Sequence, residues 1–149
     1  MRSIKVVSIA IFALALATAM TAAEENTYIG AAKCKMCHKV SLASWSETAH
    51  AKAFDKLKPE EQGNAECLKC HATGGSADMP GVQCESCHGA GSGYKSMKVM
   101  KDPEASKAAG LLAPDEATCR GCHEGAPHDQ PEFNYEEAKK TGLHEFKTE

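Results

Sequence analysis

Gly81-Val82-Gln83-Cys84-Glu85-Ser86-Cys87-His88-Gly89-Ala90-Gly91 places two cysteines three residues apart with a histidine directly behind the second. The arrangement recurs as Cys34-Lys35-Met36-Cys37-His38, Cys67-Leu68-Lys69-Cys70-His71 and Cys119-Arg120-Gly121-Cys122-His123. These four motifs use all 8 cysteines of the 149-residue chain. Cys-x-x-Cys-His is the attachment signal for c-type haem. Two thiols so spaced match the two vinyl groups of a porphyrin and add across them, and the adjoining imidazole is carried under the iron as its proximal ligand. The pattern therefore predicts four covalent haem c groups. Cys34, Cys37, Cys67, Cys70, Cys84, Cys87, Cys119 and Cys122 hold the porphyrins, and His38, His71, His88 and His123 hold the iron.

Three other uses of paired cysteines explain less. Zinc ribbons contain Cys-x-x-Cys, but zinc does not require a histidine behind every second cysteine. A thioredoxin-like redox pair needs a βαβ setting, and no strand-rich pattern surrounds these motifs. A disulfide framework suits a small exported protein but leaves the four histidines unexplained.

The first residues point to export. Arg2 and Lys5 precede an apolar run over residues 6–20, followed by Thr21-Ala22-Ala23. A basic start, a short apolar middle and a small-residue exit read as a signal peptide over 1–23, leaving a mature domain over 24–149. The run falls short of the roughly 20 residues of a comfortable membrane span, although an uncleaved anchor is the alternative. Export places the chain in the periplasm, or outside the cell, where c-type haem is attached. Without Arg2 and Lys5, 15 basic residues face 20 acidic ones, a net charge of −5. That balance argues against nucleic acid, whose binding needs cations opposite phosphates, and suits docking to basic protein surfaces.

The first cysteines of the motifs fall at 34, 67, 84 and 119, an irregular spacing unlike a tandem array. About 31 residues serve each porphyrin, too few for a good polypeptide core. The porphyrins are expected to supply much of the apolar interior, in keeping with an aromatic content of 5%. Helix is predicted over 40–57, with His50, Phe54 and Leu57 on one face. A turn runs from Pro59 to Gly63. Further helices are expected from Asp102-Pro103 to Gly110, from Pro114 into the fourth motif, and from Asn134 with Glu137 to Gly142. Gly74, Gly75, Gly81, Gly89, Gly91 and Gly93 mark loops, either plain turns or close approaches to a flat porphyrin. The expected fold is mostly α with long loops, a haem-packed core and little or no β structure.

Four proximal histidines leave His50, His128 and His144 for four distal positions. His50 shares a face with Phe54 and Leu57, and His144 lies between Leu143 and Phe146; both are expected as iron ligands. His128, between Pro127 and Asp129, is read as exposed, being too close to His123 to reach the far side of the same haem. Met97 and Met100 are alternative ligands, and methionine would raise a haem's potential; plain packing is their ordinary role. An iron left open would bind small molecules such as nitric oxide.

Three stretches carry a family resemblance. Lys33-Cys34-Lys35-Met36-Cys37-His38-Lys39, then Ser44-Trp45, then Thr48-Ala49-His50-Ala51-Lys52-Ala53 resemble the opening of the tetrahaem cytochrome c-554 family. Residues 81–91 resemble that family's third haem segment, and the order of motifs and the late histidine match too. The resemblance implies a mostly helical fold with haems in closely stacked pairs. It implies that His50 ligates the third haem and His144 the first, and that the second haem, on His71, has no protein distal ligand. The family places a further histidine about ten residues behind the third motif for the fourth haem. Here that stretch reads Tyr94-Lys95-Ser96-Met97-Lys98, so Met97, Lys98, Met100, His128 or a group from another subunit is left to fill the place.

The expected function is electron transfer between redox partner proteins, by a carrier rather than an enzyme, because the cofactor holds the chemistry. Two alternatives stand beside it. One is reduction of a small nitrogen oxide at an open haem, motivated by the missing ligand. The other is a homo-oligomeric haem polymer in which a histidine, His128 the natural donor, reaches a neighbouring subunit's iron.

Overall fold

The computed structural model describes residues 25–141 and 143–145. The predicted signal peptide, Gly142 and Phe146 lie outside the described residues. Eight helices follow in chain order: α1 Ala31–Cys34, α2 Lys39–Ser46, α3 Ala65–His71, α4 Cys84–His88, α5 Met97–Met100, α6 Pro103–Ala108, α7 Glu116–His123 and α8 Tyr135–Thr141. Two 3₁₀ turns, Phe54–Lys56 and Thr73–Gly75, lie between them. Among the described residues, β structure amounts to isolated bridges from Ala72 to Pro80 and Gly81. The fold is helix and loop, and no described helix is long and apolar enough to cross a membrane.

Local capping chemistry sets several boundaries. The Asp102 carboxylate accepts from the amides of Glu104 and Ala105, and Pro103 occupies the first helical position of α6. Asp115 and Thr118 form a reciprocal capping box ahead of α7. Asn134 accepts from the Glu137 amide at 3.1 Å and starts α8.

The helix predicted over 40–57 is broken. It stops at Ser46 and gives way to turns before Phe54. Ser44, Ser46 and Thr48 turn their hydroxyls back onto carbonyls three or four residues upstream, at 2.6–3.2 Å. Such bonds offer the backbone an alternative to the helical ladder. The residues that follow are claimed by a distant segment instead. The Val82 amide donates to the His50 carbonyl at 2.9 Å, and the Trp45 indole donates to the Val82 carbonyl at 2.9 Å. His50 is thus set by a turn clamped against residues 80–82, not by a helical face shared with Phe54 and Leu57.

That clamp requires glycine at 81. Its φ is +82°, and a Cβ there would lie 2.6 Å from the Ala51 carbonyl oxygen. The close neighbour is polypeptide backbone, which answers the open reading of this glycine. Gly81→Ala combines left-handed strain with a backbone clash, and is expected to cost about 2 kcal/mol or more. Thermal unfolding of the variant checks this, and an unchanged melting temperature would contradict the clamp.

Side-chain burial is sparse. Among the described residues the buried hydrophobics are Ala31, Leu57, Leu68, Ala72 and Tyr94. Leu57, Leu68 and Ala72 form one cluster, with Phe54 and Cys67 against it. Polar ties do the rest. Fully buried Thr73 donates to the Gly81 carbonyl and accepts from the Gln83 amide, both at 2.9 Å, seating the segment that leads into α4. Buried Glu85 accepts from the amides of Ile29, Gly30 and Gly91 at 2.6–3.1 Å, tying the approach to α1 onto α4.

Candidate functional site

Three of the motifs end a helix. His71, His88 and His123 are the last residues of α3, α4 and α7, while His38 caps the start of α2. On a helix, positions i, i+3 and i+4 share one face. Both thiols and the imidazole of such a motif therefore project to the same side, where a tethered porphyrin can be gripped from below. No disulfide joins any of the eight cysteines.

The thiols of different motifs meet in pairs. Cys34 and Cys84 are hydrogen-bonded to each other, as are Cys70 and Cys122. The bond with Cys34 pulls the Cys84 thiol down, and the same bond, with burial, pushes Cys34 up. Burial, then the bond with Cys70, pushes Cys122 up to about 12. Cys87 is raised by burial and by the neighbouring Cys119 and Cys84. The first motif therefore adjoins the third, and the second adjoins the fourth. Between the latter two lies a cleft of about 440 Å³, lined by Tyr28, Cys70, Ala72, Gly75, Val82 and Cys122.

The imidazoles also meet in pairs. The ring centroids of His50 and His123 are 5.9 Å apart, those of His71 and His128 6.1 Å, and those of His88 and His144 6.3 Å. Each pair joins one motif histidine to one histidine outside the motifs. A metal–imidazole bond is about 2 Å long and the ring centre lies about 1 Å behind the bonding nitrogen, so two imidazoles gripping one ion stand about 6 Å apart. The interplanar angles of 86°, 59° and 45° do not oppose this, because each ring can turn about its own bond axis. The residues present fit an iron held from both sides at three of the four motifs.

Hydrogen bonds orient the rings. His71 donates from Nδ1 to the Ala53 carbonyl at 2.7 Å, and His88 from Nδ1 to the Leu112 carbonyl at 3.0 Å. His144 and His128 do the same to the carbonyls of Glu145 and Asp129, at 3.2 and 3.1 Å. A ring that donates from Nδ1 presents the lone pair of Nε2, the arrangement found in metal-ligating histidines. Phe133 stacks on His123 at 4.5 Å and fixes that ring. Burial, and then the neighbouring His123, pushes the His50 imidazole down and favours the neutral, ligating form.

The pairing differs from the one the resemblance implies. His50 meets His123 of the fourth motif, and His144 meets His88 of the third. His128, read as exposed, is exposed, yet its ring faces His71. Met97 is also exposed. Glu85 went unassigned from sequence: it sits in a variable position of a motif, and only its buried amide partners reveal a role.

Comparison with known proteins agrees with the motifs. The family model described as "Cytochrome c554 and c-prime" matches residues 33–89, which hold the first three motifs and His50. The chain is 29% identical over 154 residues to cytochrome c-554 of Nitrosomonas europaea, covering 75% of this chain and 65% of that protein's length. The solved reduced state of cytochrome c554 from Nitrosomonas europaea is 28% identical, covers 79% of each chain and superposes with a TM-score of 0.48. The chain is similar to the cytochrome c-554 family of c-type cytochromes, whose members carry four covalently bound haem c groups.

Proposed function

We propose that this chain is an exported electron carrier that takes electrons from one redox protein and passes them to another. Residues 1–23 direct export and are removed, and the mature chain works in the periplasm. The paired thiols form thioethers at Cys34 and Cys37, Cys67 and Cys70, Cys84 and Cys87, and Cys119 and Cys122. His38, His71, His88 and His123 hold the irons from one side, with His50 opposite His123 and His144 opposite His88. The observation that carries this reading is the facing of motif and non-motif imidazoles at 5.9 and 6.3 Å.

When bound, the haem irons supply one-electron oxidation and reduction. The chain's own residues prepare them for it. An imidazole on each side keeps iron coordination the same in both oxidation states, so little rearranges when an electron arrives. Carbonyl bonds to Nδ1 hold the rings in place. Thiols meeting between the first and third motifs, and between the second and fourth, support two pairs of neighbouring haems. The acidic balance of the mature chain favours brief docking with basic partners.

Electron paramagnetic resonance of the oxidised holoprotein tests the reading. His50→Ala and His144→Ala are each expected to convert one low-spin ferric iron to high-spin, with all four haems still attached by intact mass. An unchanged spin count in both variants would remove these ligands. A chain that accepts no electrons from dithionite would remove the function.

A second reading is favoured by one observation. The three imidazole pairs use six of the chain's seven histidines and leave His38 without an imidazole opposite it. An iron open on one side would bind a small molecule, and reduction there is the alternative activity. Substrate turnover by the purified protein, absent when the open iron is blocked by cyanide, separates it from simple electron transfer.

A further inference from the structure

We propose that His128 is the distal ligand of the second haem, attached at Cys67 and Cys70, so that the open iron in this chain is the first, on His38. The inference rests on the reading of the four motifs as haem sites. It reverses what the family resemblance implies, an unligated second haem. Three observations carry it, and none depends on the others.

The first is placement. The His128 and His71 rings stand 6.1 Å apart, inside the range set by the other two pairs. The sequence argument against His128 was that five residues cannot carry it from His123 around the same porphyrin, and that argument holds. It does not apply to a different porphyrin. The Cys70–Cys122 contact puts the second and fourth motifs side by side. The segment leaving α7 therefore runs directly past the second motif.

The second is that the segment just beyond His128 is tied back to the helix that precedes it. The Gln130 side chain donates to the carbonyls of Cys122 and His123. Phe133 stacks on His123, with the Arg120 guanidinium 5.8 Å from its ring centre. The loop is folded back on its own helix, and His128 sits between α7 and these anchors rather than on an untethered excursion. The third is orientation. His71 and His128 both donate from Nδ1 to a backbone carbonyl, which directs both Nε2 atoms to the metal role.

The consequence for the first haem follows by counting. With His50, His128 and His144 each committed to a motif histidine, the seventh histidine, His38, has no imidazole left within the chain. Histidine donation between subunits then has no donor either, since His128 is used internally.

The test uses the full chain matured with four haems. Intact mass first establishes that four haems are attached; fewer would defeat the reading of the motifs, and this proposal with it. Electron paramagnetic resonance of the oxidised wild type is then expected to show one high-spin and three low-spin irons. After dithionite reduction, carbon monoxide should titrate to one per chain. His128→Gly should show two high-spin irons and bind two carbon monoxide molecules, and added imidazole should return one iron to low spin. Imidazole rescue separates a lost ligand from a disturbed fold. Two high-spin irons in the wild type, or an unchanged spin count in His128→Gly, would overturn the proposal.

Discussion

A haem-free chain, produced without the attachment machinery, is expected to lack a cooperative unfolding transition and to lose roughly half or more of the helical signal of the holoprotein. The longest described helices, α2 and α7, have 8 residues each. Isolated helices shorter than about 12–15 residues are marginal in water, so these depend on tertiary packing. That packing is thin, because only five hydrophobic side chains are buried among the described residues. A porphyrin tethered at both thiols supplies apolar surface and crosslinks its motif to the segment carrying the opposing imidazole. Circular dichroism and thermal melts of matched haem-free and holo preparations measure the difference. A haem-free chain with native helix content and a sharp melt would show that the polypeptide core suffices, and the haem-packed interior would have to be abandoned.

Glu85→Ala is expected to destabilise the holoprotein by about 3–5 kcal/mol, because it strands three amides that now share one buried carboxylate. Glu85 is 2% exposed, and its partners at Ile29, Gly30 and Gly91 lie on two segments remote from each other. Losing the side chain frees the lead into α1 from α4, and with it the contact between the first and third motifs. Glu85→Gln keeps one acceptor oxygen but turns an N–H₂ toward a donor, and should cost about 1–2 kcal/mol. The two variants also separate packing from charge. A buried carboxylate opposes the arrival of an electron nearby, so its neutral replacement should raise the potential of an adjacent haem by roughly tens of millivolts. Denaturant titration gives the stability and a spectroelectrochemical titration gives the potentials. If Glu85→Ala melts with the wild type, the carboxylate does not hold the two motifs together.

Read from the sequence alone, the four Cys-x-x-Cys-His motifs carried the cofactor, because thioether attachment is written in adjacent residues. Capping signals such as Asp102-Pro103 and Asn134 with Glu137 marked helix starts for the same local reason. Where an outcome depended on distant segments, local reading failed. The helix expected over 40–57 ended at Ser46 because residues 80–82 claim the backbone of His50. Sequence singled out His50 and His144 as candidate ligands, but not the motif histidine each one faces. Which imidazole faces which motif is decided by how α3, α4 and α7 lie against one another, and no spacing records that. His128 shows the difference most clearly: its neighbours in sequence describe an exposed loop, while its neighbours in space include the ring of His71.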